Sequence, residues 1–96
     1  MAAYIIAEVE VSDPERFEAY RALAHPAIEA FGGTVLASSL DAVSLEGNWS
    51  PQRVVVVRFE SLARCRAFYD SAQYQAAVQA RLGIAQLNII AVEGLA

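Results

Sequence analysis

Cysteine and histidine are almost missing from this chain, which carries one of each, Cys65 and His25. A lone cysteine excludes an internal disulfide, and with a single histidine it cannot build a zinc or iron–sulfur site without carboxylates or a second subunit. No metal and no bound cofactor are expected, and cysteine use of this kind fits a reducing cytoplasm. Basic residues are also few. Seven, scattered singly, stand against eleven acidic ones, for a net charge of −4. They make no stripe that could follow a phosphate backbone or an anionic bilayer, so neither nucleic acid nor a membrane surface is an expected partner. No apolar run is long enough to span a membrane. The start, Met1-Ala2-Ala3-Tyr4-Ile5-Ile6, lacks the basic opening of a signal peptide, and Glu8 and Glu10 interrupt the apolar run after it. Repeats, linkers, a phosphate loop, a dinucleotide fingerprint and a nucleophile motif are absent as well.

What the chain has in quantity is apolar surface. It is 56% hydrophobic and 19% charged over 96 residues, with a mean hydropathy of +0.34. That length allows one domain, residues 1–96, and a domain this small buries only about two thirds of the surface its unfolded chain exposes. There is more apolar material than two thin layers can hide. A further buried surface is expected, most simply between subunits.

Residues 3 to 11 alternate, with Ile5, Ala7, Val9 and Val11 on one side and Tyr4, Ile6, Glu8 and Glu10 on the other, which predicts a strand. A helix start follows, either with Asp13 as cap and Pro14 in the first turn or with Ser12 and Glu15 as a capping box. Phe17, Tyr20, Ala24, Ile28 and Phe31 recur at helical spacing, Pro26 predicts a kink near Ala22, and Gly32-Gly33 supplies the stop. Thr34–Ser38 and Ala42–Leu45 read as short strand pieces, a bent strand or a hairpin, before a loop from Glu46 to Gln52. Arg53 to Glu60 is the strongest strand signal. Ser61 caps a second helix that pauses at Asp70-Ser71 and restarts with Ser71 as a new cap; Gly83 ends it, and Gln86 to Glu93 forms a last strand. The order β-α-β-β-α-β predicts an α+β, ferredoxin-like fold, a four-stranded antiparallel sheet with two helices on one face.

Two helices cover one face of such a sheet, so in a monomer the other should be polar. Here one face carries Ile5, Ala7, Val9, Val55, Val57 and Phe59, and the other carries Tyr4, Ile6, Val54 and Val56 with Glu8, Glu10 and Arg58. An apolar second face with isolated charges predicts a homodimer through the open sheet face.

The segments AEVEVSDPERFEAYR, Gly32-Gly33, EGNWSPQRVVVVRF and RAFYDSAQYQ together resemble, across essentially the whole chain, the bacterial family known as domain of unknown function 1330. That resemblance implies the dimeric α/β-barrel superfamily. Its members include cofactor-independent monooxygenases, muconolactone isomerase, polyketide cyclases and haem-using enzymes, although the family itself has no general assigned activity. The chain departs from the family pattern at Ser38-Ser39, where members commonly carry arginine and glycine, and at Ala72, where they carry proline. The first departure removes an anion-binding side chain; the second costs local rigidity.

Chemistry must then rest on isolated polar groups near an apolar cavity. Trp49, the single tryptophan, sits in a Gly-Asn-Trp-Ser-Pro loop, where it lines a pocket or anchors a partner. Tyr4, Glu8, Trp49, Arg58 and Asn88 are the candidate ligand-binding set. His25, Glu46 and Arg58 are weak catalytic candidates, His25 because imidazole ordinarily titrates near neutrality. Glu46 and Arg58 are as well explained as an ion pair, and haem would have to use His25 as its axial ligand. Tyr20 and Cys65 lie on apolar helix stripes and read as core residues, while Arg81 suits the negative end of its helix. Two functions remain open. One is a small-molecule-binding domain acting as a cofactor-independent enzyme of isomerase, cyclase or monooxygenase type on a small, oxygenated, partly apolar compound. The other is a non-catalytic ligand-binding or protein-interaction module.

Overall fold

A computed structural model describes residues 1–95. Strands β1 (Ala3–Val11), β2 (Thr34–Ser39), β3 (Arg53–Phe59) and β4 (Ala85–Glu93) alternate with helices α1 (Pro14–Ala30), α2 (Leu62–Asp70) and α3 (Ala72–Ala80). The strands form one antiparallel sheet in the order β2-β3-β1-β4. All three helices serve one side of it, as a ferredoxin-like connection requires. The molecule is accordingly flat, 34 × 33 × 16 Å.

Local chemistry explains the boundaries. Asp13, not the Ser12–Glu15 box, caps α1: its Oδ1 accepts from the Arg16 amide at 3.2 Å, with Pro14 in the first turn. The helix runs through Pro26 without a break. Gly32 takes φ +76° at the stop, whereas Gly33 is there for space, since a Cβ would lie 2.7 Å from Ile28 Cγ2 and 2.8 Å from the Phe59 ring. Ser61 caps α2 through the Arg64 amide. Ser71 both ends α2, its hydroxyl donating to the Phe68 carbonyl at 2.7 Å, and starts α3 by accepting from the Tyr74 amide at 3.1 Å.

The segment Ala42–Leu45, read above as a strand piece, is not one. β2 ends at Ser39, and the residues up to Arg53 form an exposed loop without a sheet partner. Alternating apolar residues suggest a strand only where another strand lies alongside, and β2 has already taken the free edge of β3. A bulge at Leu36, between Val35 and Ala37, bends β2 just before this loop.

The core lies between sheet and helices. Ala3, Ile5, Val57 and Phe59 meet Ala24, Ala27, Cys65, Phe68, Tyr74 and Ala77 in one buried cluster, and Ala7, Val9, Phe17 and Ile84 make a second beside it. Phe68 is the hub, its ring 5.2 Å from Phe59 and 4.5 Å from Tyr74. Cys65 is fully enclosed there, and burial pushes its thiol above the usual range, consistent with a small apolar core residue.

Candidate functional site

The register sorts every strand residue onto one of two faces, and each face carries a distinct polar arrangement. On the open face, Glu8 stands opposite Asn88 and Val54, Ile6 opposite Ile90 and Val56, and Tyr4 opposite Val92 and Arg58. Reading along the strands gives a carboxylate at one end, an arginine at the other, and an apolar strip between. The long loop folds back over the carboxylate end. Trp49 Nε1 donates to Glu8 Oε2 at 2.6 Å, and Asn88 Nδ2 donates to Glu8 Oε1 at 3.0 Å. The indole hydrogen bond, and then the amide, holds the Glu8 carboxyl below the usual glutamate value of 4.5. Gln52 fixes the other end of the loop by accepting from the Val11 amide at 2.8 Å.

Of the candidate ligand-binding set, the structure therefore brings together Glu8, Trp49 and Asn88. It sets Tyr4 and Arg58 apart from them, four residues along β1, or about 13 Å at strand rise. The Glu46–Arg58 ion pair considered from the sequence does not form. Glu46 lies in the loop before β3 and Arg58 near that strand's far end, and among the described residues the recorded ion pair is Arg21–Glu18.

On the helix side, α1 leans on α3 and leaves a cavity of about 130 Å³ between itself and the sheet. Ile5, Val55, Val57 and Ile89 form its floor, with Phe17, Ala24 and Ile28 of α1 above. Polar side chains occur at Tyr20, Tyr74, Arg21, His25, Ser38, Arg53 and Tyr69. The first two share one hydrogen bond between their hydroxyls, at 2.8 Å. Burial, with Tyr74 adding to it, pushes the Tyr20 hydroxyl far above its ordinary value. Arg81 lies 5.6 Å from the Tyr20 ring centroid, a cation–π contact, so it does more than answer a helix dipole. Its Nε is buried without a partner.

His25 is the one catalytic candidate that reaches this cavity, and it stands exposed. The space is far below the roughly 300–1,000 Å³ of drug-sized ligand sites, so a haem ligated by His25 does not fit it. Sequence reasoning did not single out Arg21 or Arg53, and it named Ser38 only as a departure from the family pattern. A signal existed for the two arginines: Arg21 precedes His25 by one helical turn, and Arg53 is a charge in phase with the buried Val55 and Val57. Among the described residues, no group of three or more His, Cys, Asp or Glu is placed to hold a metal ion, and no helix is long and apolar enough to cross a membrane.

Strand order, register and one-sided helices define a ferredoxin-like α+β protein with an apolar cavity beneath its first helix. Residues 2–95 match the model of the family described as Domain of unknown function (DUF1330), and the chain belongs to that family. Its backbone is similar to that of a protein of unknown function from Rhodopseudomonas palustris, at 18% identity and a TM-score of 0.80 over 99% of this chain and 83% of that one. It is also similar to a dimeric ferredoxin-like protein of unknown function from a Jannaschia species, at 12% identity and TM-score 0.75 over 98% of this chain and 100% of that one. A third similar structure is SnoaB of Streptomyces nogalater, a cofactor-independent oxygenase, at 10% identity and TM-score 0.69 over 99% of this chain and 94% of that one. A search of curated proteins finds no match at the level of sequence.

Proposed function

We propose that this protein is a homodimeric small-molecule-binding domain whose ligand, a small, oxygenated, partly apolar compound, enters the cavity between α1 and the sheet. The observation that carries the reading is that cavity: about 130 Å³, floored by aliphatic side chains, with polar groups from the helices and from the ends of β2 and β3 around it. An apolar cavity of about 150 Å³ in another protein stays dry and takes up benzene, so this one suits a body of one small ring. Ligand sites are typically apolar spaces with a few polar groups to fix orientation.

The dimer is proposed from the open face. Ile90 is 60% exposed and Val92 42%, next to the half-buried Tyr4, Ile6, Val54 and Val56. Within the loop beside them, Val43 is 78% and Leu45 92% exposed. Arg58 at one end of the strip and Glu10 at the other make the face self-complementary about a two-fold axis through its middle. The similar protein from the Jannaschia species is described as dimeric, which supports a dimer here. Glu8, Trp49 and Asn88, already bonded to one another, are assigned to the rim of this interface, with Tyr4 and Arg58 at its opposite end.

Catalysis without a bound cofactor is the fuller reading, supported by the likeness to SnoaB. His25 at the cavity mouth is the residue placed to move a proton. Binding without catalysis is favoured by a different observation: the Tyr20 and Tyr74 hydroxyls are hydrogen-bonded to each other, and no carboxylate among the described residues lines the cavity to make a matched pair with His25.

Phenol, one ring with one oxygen, tests the binding. Calorimetry should detect it on the native chain. Ala24→Leu, which fills the cavity from α1, should abolish it while leaving the melting transition cooperative. Undiminished phenol binding by that variant, or no binding by the native chain, would overturn the reading.

A further inference from the structure

The charges around the helix-side cavity are of one sign. Arg21 and Arg53 line it, and no carboxylate does. This happens in a chain with eleven acidic and seven basic residues, so the imbalance runs opposite to that of the protein as a whole. Neither guanidinium is used up. Arg21 reaches Glu18 at 3.4 Å through one nitrogen, with Glu18 largely in water and Arg21 partly exposed, a pairing of little worth. Arg53 donates from Nη1 to the neutral hydroxyl of Ser38 at 3.1 Å, and no carboxylate pairs with it among the described residues.

Arg53 is also out of place for a solubilising charge. It stands opposite Val9 on β1 and in phase with Val55 and Val57, so its stem starts from the face that packs against the helices. Arg21 stands on α1 and lines the same cavity. The two therefore belong to opposite walls of it, helix and sheet, with the aliphatic floor of Ile5, Val57 and Ile89 between them. A guanidinium is a planar fork of donors that matches a carboxylate, and it remains charged at every physiological pH.

We propose that the ligand of this cavity is an organic anion: a body about the size of one six-membered ring, seated on the aliphatic floor, with a carboxylate held at the mouth between Arg21 and Arg53. The inference rests on the cavity being the binding site, and it adds the charge and the end by which the ligand is held. His25 lines the same cavity.

Benzoate and benzamide, which share shape and differ in charge, separate the two claims. Calorimetry on the native chain should show benzoate binding at least about tenfold tighter than benzamide, the margin expected of a charge-assisted pair. Raising sodium chloride should weaken benzoate and leave benzamide nearly unchanged. Arg53→Gln and Arg21→Gln should each bring the benzoate-to-benzamide ratio toward one. Equal affinities for the two compounds, or a ratio that survives both substitutions, would overturn the anion and leave the cavity reading standing. If neither compound binds and phenol does not either, both readings fall together.

Discussion

The two faces of the sheet are built from the same kind of strand residue and come to opposite ends. On the helix side, Ile5, Val57 and Phe59 are buried within the chain itself. On the open side, Ile6 and Val56 occupy the neighbouring positions on the same strands, and Ile90 of β4, opposite Ile6, is 60% exposed. Residues adjacent in sequence therefore contribute to different processes. Those on the helix side stabilise the fold, and those on the open side have apolar area available for association, at roughly 25 cal/mol for each Å² removed from water.

The largest effect expected from this contrast is in the core. Phe68→Ala removes the ring that joins Phe59, Phe31 and Tyr74 and should cost about 3–5 kcal/mol in urea unfolding. A loss under about 1 kcal/mol would mean that the helix side does not dominate folding. Next comes Val56→Asp, half-buried on the open face. It should place an unpaired charge at the centre of the symmetric interface, and light scattering should then give 10.4 kDa where the native protein gives about twice that mass. A dimer that tolerates the aspartate would put the interface elsewhere.

A smaller change is expected at Trp49. Its indole ties the loop to Glu8, so Trp49→Phe should preserve the fold and weaken the dimer by about 2 kcal/mol, the scale of an aromatic anchor; sedimentation at serial dilution reads this directly. The smallest effect is electrostatic. The Glu8 carboxyl is depressed, so the stability it lends to the loop is complete above the ordinary glutamate value of 4.5 and is lost only as pH falls through its lower, folded value. Tryptophan fluorescence should therefore change with a midpoint below 4.5, and Glu8→Gln should remove that step.

The fold was legible where local chemistry decided it. Asp13, Ser61 and Ser71 as caps, Gly32 as a stop and the alternation in β1 and β3 all act within a few residues. Ala42–Leu45 was misread because alternation cannot show whether an edge is free to pair. On the open face, Glu8, Trp49 and Asn88 were each visible as odd polar or aromatic residues, but Asn88 meets Glu8 through the β1–β4 register, 80 residues apart in the chain, and Trp49 through the fold of the long loop, 41 residues apart. The cavity was least legible of all. It arises from the distance at which α1 stands off the sheet while leaning on α3, and that is set by many side chains together. Arg53, a charge in the buried phase of a strand, and Arg21, one helical turn before His25, gave the local hints.

Methyl-resolved NMR with and without phenol tests the division of labour most directly, because Ile5 and Ile6 are neighbours in sequence and point to opposite faces. The cavity account predicts that Ile5 and Ile89 shift on addition of phenol while Ile6 and Ile90 stay where they are. Shifts at Ile6 and Ile90 with Ile5 and Ile89 unmoved would contradict it and move the binding site to the open face.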